Sequence, residues 1–139
     1  MISRELAIAL RDAGLTWHPE SGDRFQLDLP DAVEAEVEAD IFTVSDMTIE
    51  AHRYPTGTIL GFNGTTEWAL DSVALADAVW LPREDQLREL LRSTFRALRR
   101  LEDAFEVEVD IAGERRRFEH PDVSEAYGLA LLDLIGRSR

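Results

Sequence analysis

The sequence predicts an α+β protein, a single domain with a largely antiparallel sheet of about five or six strands packed by about four helices. Its strand-like segments come in hairpins instead of alternating singly with helices, and this order favours antiparallel pairing. A chain of 139 residues is the size of one domain, so residues 1–139 are expected to share one hydrophobic core.

The chain opens with a predicted helix whose apolar residues recur at helical spacing between Ser3, a possible cap, and Gly14, a stop. Phe25, Leu27 and Leu29 then alternate with polar residues, which is typical of a half-buried strand.

A hairpin is predicted after an acidic connection. Residues 31–40 hold five acids and no arginine, could form a strand or a short helix equally well, and are interpreted as solvated. Residues 41–44 and 47–52 are strand-like. The sequence YPTG at 54–57 favours a turn because proline presets φ and glycine tolerates positive φ, and residues 58–62 would be the returning strand.

Two helices are predicted in the middle of the chain. The first is a short helical pattern from Trp68 to Leu75. The second begins around Trp80 and Pro82, since proline is tolerated in the first helical turn, and an apolar stripe continues it to Leu101.

A second hairpin and a C-terminal helix complete the predicted fold. If Ala112 and Gly113 form a two-residue turn, residues 105–111 and 114–119 pair in a fixed register. Asp122 is the expected cap of the last helix, with a glutamate three residues on.

The composition excludes several classes of function. The net charge is −13, with −11 in residues 1–80 and −2 in residues 81–139, and so acidic a chain disfavours binding to nucleic acid. There is no cysteine, which removes disulfides and thiolate chemistry. All 15 basic residues are arginine, so mechanisms that need a lysine amine, including the phosphate-loop lysine of nucleotide hydrolases, are excluded. No membrane span or secretion signal is recognised, and a cytoplasmic location is expected.

Motifs of metal or catalytic sites are not recognised in the sequence. The three histidines, His18, His52 and His120, lie far apart and form no paired ligand motif, so neither a metal nor another cofactor is predicted. No nucleophile elbow or glycine-rich dinucleotide loop is present, and no catalytic residue is assigned. Whether the protein is an enzyme is left uncertain, with a non-enzymatic role favoured.

The sequence FNGTTEW at 62–68 has two interpretations. In the structural one, its polar residues turn the chain and cap the following helix. In the functional one, polar groups beside aromatic rings line a ligand pocket, as occurs where helix N-termini meet aromatic side chains. The residues of that hypothetical pocket are Asn63, Thr66, Glu67, Trp68, Trp80 and Arg83.

Arginines recur every three to four residues along the second of the middle helices, opposite its leucines. They would form either a docking ridge for an acidic partner or a solvated face paired with nearby acids. The residues of this predicted partner-binding ridge are Arg88, Arg92, Arg96 and Arg99.

The triplet at 115–117 is explained by pairing across the second hairpin. A two-residue turn would place Arg115 opposite Asp110 and Arg117 opposite Glu108 on one face of the sheet. On the other face Val107 would meet Phe118.

The segments SDMTIE, FNGTTEWALDSV, WLPREDQLRELL and EAYGLALLDL resemble a family of small uncharacterised bacterial proteins, some of which are labelled pilus assembly protein CpaE-like. Segment 31–40 departs from that family. The ATPases that share this label use a phosphate loop with a lysine, which this chain lacks, so the resemblance implies no ATPase function, catalytic residue or cofactor.

The sequence therefore predicts an acidic, non-enzymatic protein-interaction or accessory protein with an unidentified protein partner and without nucleic acid, nucleotide or membrane binding. The alternative is a small-molecule binder or enzyme that uses residues 63–68 and 80–83. A third hypothesis, a mimic of nucleic acid, requires the acids of residues 20–50 to lie on one face.

Overall fold

The computed structural model describes residues 1–28, 40–44, 49–54, 57–62 and 72–138. Helices and strands alternate irregularly along these residues, and two short 3-10 turns occur at Leu75–Asp77 and Arg92–Thr94. The elements in chain order are α1 (Arg4–Ala13), β1 (Arg24–Leu27), β2 (Phe42–Thr43), β3 (Ile49–Tyr54), β4 (Gly57–Phe62), β5 (Ser72–Ala74), β6 (Ala78–Leu81), α2 (Glu84–Leu91), β7 (Phe95–Arg100), β8 (Phe105–Ile111), β9 (Glu114–His120) and α3 (Val123–Arg137).

The structure is α+β, but the predicted single sheet of five or six strands packed by about four helices is wrong. The described strands form three separate sheets of three strands, in the orders β2-β1-β6, β3-β4-β5 and β7-β8-β9, and the described residues contain three α-helices. The sheets β3-β4-β5 and β7-β8-β9 are antiparallel throughout. Hairpin signals specify which neighbours pair, but they do not specify whether successive hairpins join in one sheet.

The described residues form two compact units. One consists of Met1–Thr16 with Leu81–Arg139, and the other is Trp17–Trp80. The second unit holds β1 to β5 and most of β6, and Phe25, Leu27 and Val79 are buried there. The single domain over residues 1–139 stays a prediction.

The first unit is built in layers. Helix α3 packs on β8 and β9, while α1 and α2 pack against α3. The rings of Phe95 and Tyr127, with centroids 5.8 Å apart, join β7 to α3, and Val107 and Val109 of β8 are fully buried. One face of the β7-β8-β9 sheet therefore belongs to the hydrophobic core.

Both ends of the predicted first helix are confirmed. Ser3 caps α1 by accepting a hydrogen bond from the N–H of Leu6, and Gly14 ends the helix with φ of 119°. The cap of α3 is also confirmed, since the Asp122 carboxylate accepts from the N–H of Ser124. These residues satisfy backbone groups that have no partner within the helix.

The predicted continuous helix to Leu101 is wrong, because α2 ends at Leu91. Arg92 has φ of 52° and ψ of −133°, which no α-helix can contain. The hydroxyl of Thr94 donates to the carbonyl of Leu91 and so satisfies one of the last helical acceptors. The chain then continues as strand β7.

A β-bulge in β7 explains why this strand looks helical in the sequence. Phe95 lies opposite Val109 and Leu98 lies opposite Val107, with the register shifting between Phe95 and Ala97. The extra residue places apolar side chains three positions apart on the same face of the sheet. Apolar residues three positions apart also form the buried stripe of a helix. A helix and a bulged strand therefore give the same sequence pattern.

The short helix predicted over Trp68–Leu75 is wrong where the structure describes it. Ser72–Ala74 form strand β5, which pairs with β4, and Leu75 begins a 3-10 turn. Trp80 lies in strand β6 and not at a helix start.

Candidate interaction surface

The face of the β7-β8-β9 sheet opposite α3 is lined with charged residues. Along β8, glutamates alternate with the buried valines and so point away from the core. Antiparallel sheets commonly pack one face on a core and leave the other towards solvent. We call the ion-paired residues of this surface the charged face, and they are Arg99, Glu106, Glu108, Arg115 and Arg117. Asp110 and the exposed Glu119 lie on the same side of the sheet.

Glu108 lies at the centre of the charged face. Its Oε1 accepts from Arg99 Nη1 at 3.2 Å and from Arg117 Nε at 3.1 Å, while its Oε2 lies 3.6 Å from Arg115 Nη1. Glu106 Oε1 accepts from Arg99 Nη1 at 3.0 Å and lies 3.9 Å from Arg117 Nε. Three arginines from two strands thus bracket two glutamates of the strand between them.

On the charged face, the two carboxylates are largely buried beneath the three guanidinium groups, which are exposed to solvent. The side chains of Glu106 and Glu108 are 12% and 3% exposed, whereas those of Arg99, Arg115 and Arg117 are 46%, 66% and 61% exposed. A carboxylate so covered needs charged hydrogen-bond donors to compensate for lost water. The outward chemistry of this part of the surface is therefore mainly cationic.

The ionisation of the charged face follows from these bonds. The hydrogen bond from Arg117, and then that from Arg99, holds the pKa of Glu108 below its ordinary value, although burial opposes this. The bond to Glu108 raises the already high pKa of Arg99. Both groups are charged at neutral pH.

The pairings predicted across the second hairpin are confirmed. Glu108 lies opposite Arg117, Asp110 opposite Arg115, and Val107 opposite Phe118. Ala112 and Gly113 both have positive φ, 53° and 85°, as a two-residue turn of type I′ requires.

The predicted ridge of four arginines is not a helix face. Arg88 lies on α2, Arg92 follows the helix, and Arg96 occupies the bulge of β7. Among the four, Arg99 belongs to the charged face. The strand that begins after Arg92 separates residues that a continuous helix would have aligned, so the prediction of a helical ridge is wrong. A partner-binding role for the four arginines stays a prediction.

The hypothetical ligand pocket lies mainly outside the described residues, which do not include Asn63, Thr66, Glu67 and Trp68. Its two described members are in different units. Arg83 precedes α2, where its N–H donates to the Gln86 side chain at 2.9 Å and its guanidinium pairs with Asp85 at 3.2 Å. The site of six residues stays a prediction.

Trp80 belongs to an aromatic cluster. Its ring stacks on Trp17 with centroids 6.3 Å apart, and Trp17 also contacts Phe25 at 5.4 Å. The indole N–H of Trp17 donates to buried Asp23 at 2.9 Å, whereas the N–H of Trp80 is buried with no hydrogen-bond partner found in the described part of the chain. Asp23 has no regular signal in the sequence, because its bond to Trp17 forms within a loop and not at the spacing of a helix or strand.

Tyr127 is a second buried polar group, between α3 and its neighbours. Its hydroxyl is buried and no well-aligned hydrogen-bond partner occurs among the described residues. Burial raises the pKa of Tyr127, and the nearby guanidinium of Arg88 opposes that rise. The proximity of Arg88 shows that this arginine lies at the junction of α2 and α3.

Two features of the charged face differ from the predicted arrangement. The predicted pairings connect Glu106 with no arginine, and the predicted helix contains Arg99. Glu106 and Glu108 alternate with valines, so their shared face could have been inferred from the strand pattern. The contribution of Arg99 could not, since it depends on β7 being a strand.

Two other kinds of feature do not occur among the described residues. No group of three or more histidine, aspartate or glutamate side chains in residues 1–28, 40–44 and 75–138 is placed to hold a metal ion. None of the helices in the described ranges has the length and apolar character required to cross a membrane.

Comparison with known proteins found no match to a protein-family model, to a curated protein or to a solved structure. The resemblance to the small bacterial family accordingly stays a prediction.

Proposed function

We propose that this chain is a non-enzymatic protein-interaction or accessory protein and that its charged face binds an acidic partner. The observation that supports this is the arrangement of three exposed guanidinium groups over two covered glutamates. A partner would contact the exposed arginines before the covered glutamates. The partner's carboxylates would bind to cationic donors whose positions are already fixed by the fold.

The arginines retain unused hydrogen-bonding capacity. A guanidinium group has five N–H donors in a planar fork. Arg117 uses its Nε on Glu108, and Arg115 approaches the same glutamate at 3.6 Å, beyond hydrogen-bonding distance. The remaining donors suit the two oxygens of a carboxylate, which arginine binds in a bidentate geometry.

The bonds to Glu106 and Glu108 also reduce the entropy lost on binding. A free arginine side chain must give up many rotamers to make a defined contact. Arg99 is already fixed by two hydrogen bonds, with Nη1 at 3.0 Å from Glu106 and 3.2 Å from Glu108. Preorganised donors lose less conformational freedom when a partner binds.

The strong charge pairing also supports a binding role over acid–base catalysis. A general acid or base works best when its pKa lies near the operating pH. The lowered pKa of Glu108 and the raised pKa of Arg99 both move away from neutrality. These groups are suited to hold charge and not to transfer protons.

The net charge of −13 gives the proposed surface its specificity. An acidic partner is repelled by most of so acidic a molecule and attracted to a cationic patch. Opposite charge orients the encounter, and association is therefore expected to weaken as salt is added.

The experiment is affinity capture from the native host with the native chain and the double variant Arg115→Gln and Arg117→Gln. Glutamine keeps hydrogen-bonding capacity, and Arg99 still bonds Glu108, so the variant is expected to fold, which circular dichroism checks. We expect acidic proteins captured by the native chain to be lost with this variant. Arg137→Gln is the matched control, because Arg137 pairs with Asp133 and Glu114 away from the charged face. If a folded double variant captures the same proteins, the charged face is not the docking surface.

A further inference from the structure

We infer that strand β7 is the recognition edge and that it accepts an extended acidic segment of the partner as an added strand. This inference rests on the proposed function and specifies how the acidic partner is bound. In such strand addition, backbone hydrogen bonds supply affinity and alternate side chains supply specificity.

Strand β7 is an exposed sheet edge. It pairs with β8 on one side, and in the described part of the chain no strand pairs with its other side. Four of its six residues are exposed, and Leu98 is among the exposed large apolar side chains at 38%. An unpaired edge presents a row of backbone donors and acceptors to another chain.

The charge around β7 selects an acidic partner. Residues 91–101, LRSTFRALRRL, contain four arginines and no acid. Strand β9, the opposite edge, carries two glutamates beside its three arginines, and Arg116 pairs with Glu114 at 3.1 Å and with Asp133 of α3 at 3.1 Å. Charge complementarity therefore favours β7 over β9 as the site for an acidic strand.

The same charge disfavours pairing with a second copy of β7. Two such edges would bring arginines against arginines, and like charges directly opposite are destabilising. Edge charges are a common protection against self-association. Here all of them are positive, so they exclude a like edge and remain complementary to an acidic one.

Arg92 adds a separate observation from backbone geometry. It has φ of 52° and is exposed, at a position that glycine would occupy without strain. Backbone strain in a non-glycine residue often occurs where its side chain serves function. The strained residue is one of the four arginines beside the edge, as expected if its cationic side chain is used.

The register of β7 defines the partner sequence. After the bulge, pairing with β8 is regular from Ala97 to Arg100, so an added strand would align over these four residues. Arg99 belongs to the charged face, while Arg100 lies on the other face with its guanidinium 5.8 Å from the centre of the Phe105 ring. Acids are therefore expected opposite Arg99 and Arg100, and an apolar residue opposite Leu98. The partner motif is two adjacent acids next to an apolar residue.

The test uses a fluorescent synthetic peptide of eight residues with the centre Glu-Glu-Val in a serine and threonine background. Binding to the full chain is measured by anisotropy at low salt. A matched peptide with the centre Gln-Gln-Val tests charge. Two further peptides keep the Glu-Glu-Val side chains but carry backbone N-methyl groups, one at odd and the other at even positions.

An added strand directs alternate N–H groups towards β7, so only one N-methylated peptide should lose the hydrogen bonds. We expect that peptide to bind about tenfold or more weakly and the other to keep its affinity within about threefold. If Glu-Glu-Val binds and both methylated peptides bind equally well, strand addition is overturned while the proposed acidic-partner function stands. If Glu-Glu-Val binds no better than Gln-Gln-Val, the edge of β7 does not recognise an acidic strand and this inference is overturned. Capture by the Arg115→Gln and Arg117→Gln double variant then decides the proposed function separately.

Discussion

Arg99 and Glu108 are hydrogen-bonded although they do not lie opposite each other in the sheet. Glu108 lies opposite Ala97 and Arg99 opposite Glu106, yet Arg99 Nη1 reaches Glu108 Oε1 at 3.2 Å. Diagonal neighbours on one face of a sheet are within reach of long side chains. One guanidinium thereby compensates two adjacent carboxylates of β8, and this makes the charged face sensitive to the ionisation of Glu108.

The first prediction concerns pH. The pKa of Glu108 in the folded protein is lower than its ordinary value of 4.5, so ionised Glu108 stabilises the folded state above that pH. This stabilisation is lost as the pH falls through the lowered pKa. We expect Glu108→Gln to reduce the urea midpoint at pH 7 and to have a smaller effect at pH 3, because pH 3 lies below the ordinary value and the unfolded chain binds a proton there.

Glu119→Gln is the control for this experiment. Glu119 is exposed and lies opposite Glu106 on the same face. Its replacement removes the same charge without removing the bonds from Arg99 and Arg117. A Glu108→Gln effect that stays constant between pH 7 and pH 3 would contradict the role of the ionised carboxylate.

The second prediction concerns Arg92. Its φ of 52° and ψ of −133° lie in a region that L-residues rarely occupy. Arg92→Gly should relieve about 1 kcal/mol or more of strain and raise the free energy of unfolding, measured with urea. Ser93→Gly, one residue along in the same 3-10 turn, should give no gain because Ser93 has no positive φ. Equal effects of the two glycines would argue against strain at Arg92.

The third prediction concerns the β8–β9 turn, where Ala112 has φ of 53°. Asparagine tolerates this conformation better than alanine and is favoured in type I′ turns. Ala112→Asn should therefore stabilise the protein by about 0.5–1 kcal/mol in thermal or urea unfolding. Gly113→Ala, at φ of 85°, should destabilise it by about 1 kcal/mol. If both changes act in the same direction, the turn does not have the geometry described.

The sequence predicts pairings between residues near in the chain well, but it predicts the arrangement of the strands into sheets poorly. The pairing of Glu108 with Arg117 could be predicted because the two-residue turn at Ala112 and Gly113 fixes the register of the two strands that it joins. Ser3 and Asp122 could be recognised as caps because capping depends on chemistry within three residues.

Strand β7 could not be predicted in the same way. Its bulge puts Phe95 and Leu98 on one face at a spacing of three residues, which also fits a helix. Pairing with β8 decides between the two, and that pairing joins residues across the loop 101–104. For this reason, the contribution of Arg99 to the charged face could not be predicted from the sequence.

The last prediction compares two glycines of α3. Alanine is preferred over glycine within a helix by about 1 kcal/mol, so either substitution gains helical propensity. At Gly136 an added Cβ would meet no atom of the described residues within 4 Å, and Gly136→Ala should stabilise the protein by about 0.5 kcal/mol, since the site is near the helix end. At Gly128 an added Cβ would lie 2.6 Å from Leu6 Cδ2 and 3.3 Å from Ile2 Cδ1, both on buried side chains. Overpacking of this kind costs about 1–3 kcal/mol, which exceeds the gain in propensity, so Gly128→Ala should lower stability. Urea unfolding of both variants checks the pair, and a stabilising Gly128→Ala would show that α1 does not pack against α3 as closely as described.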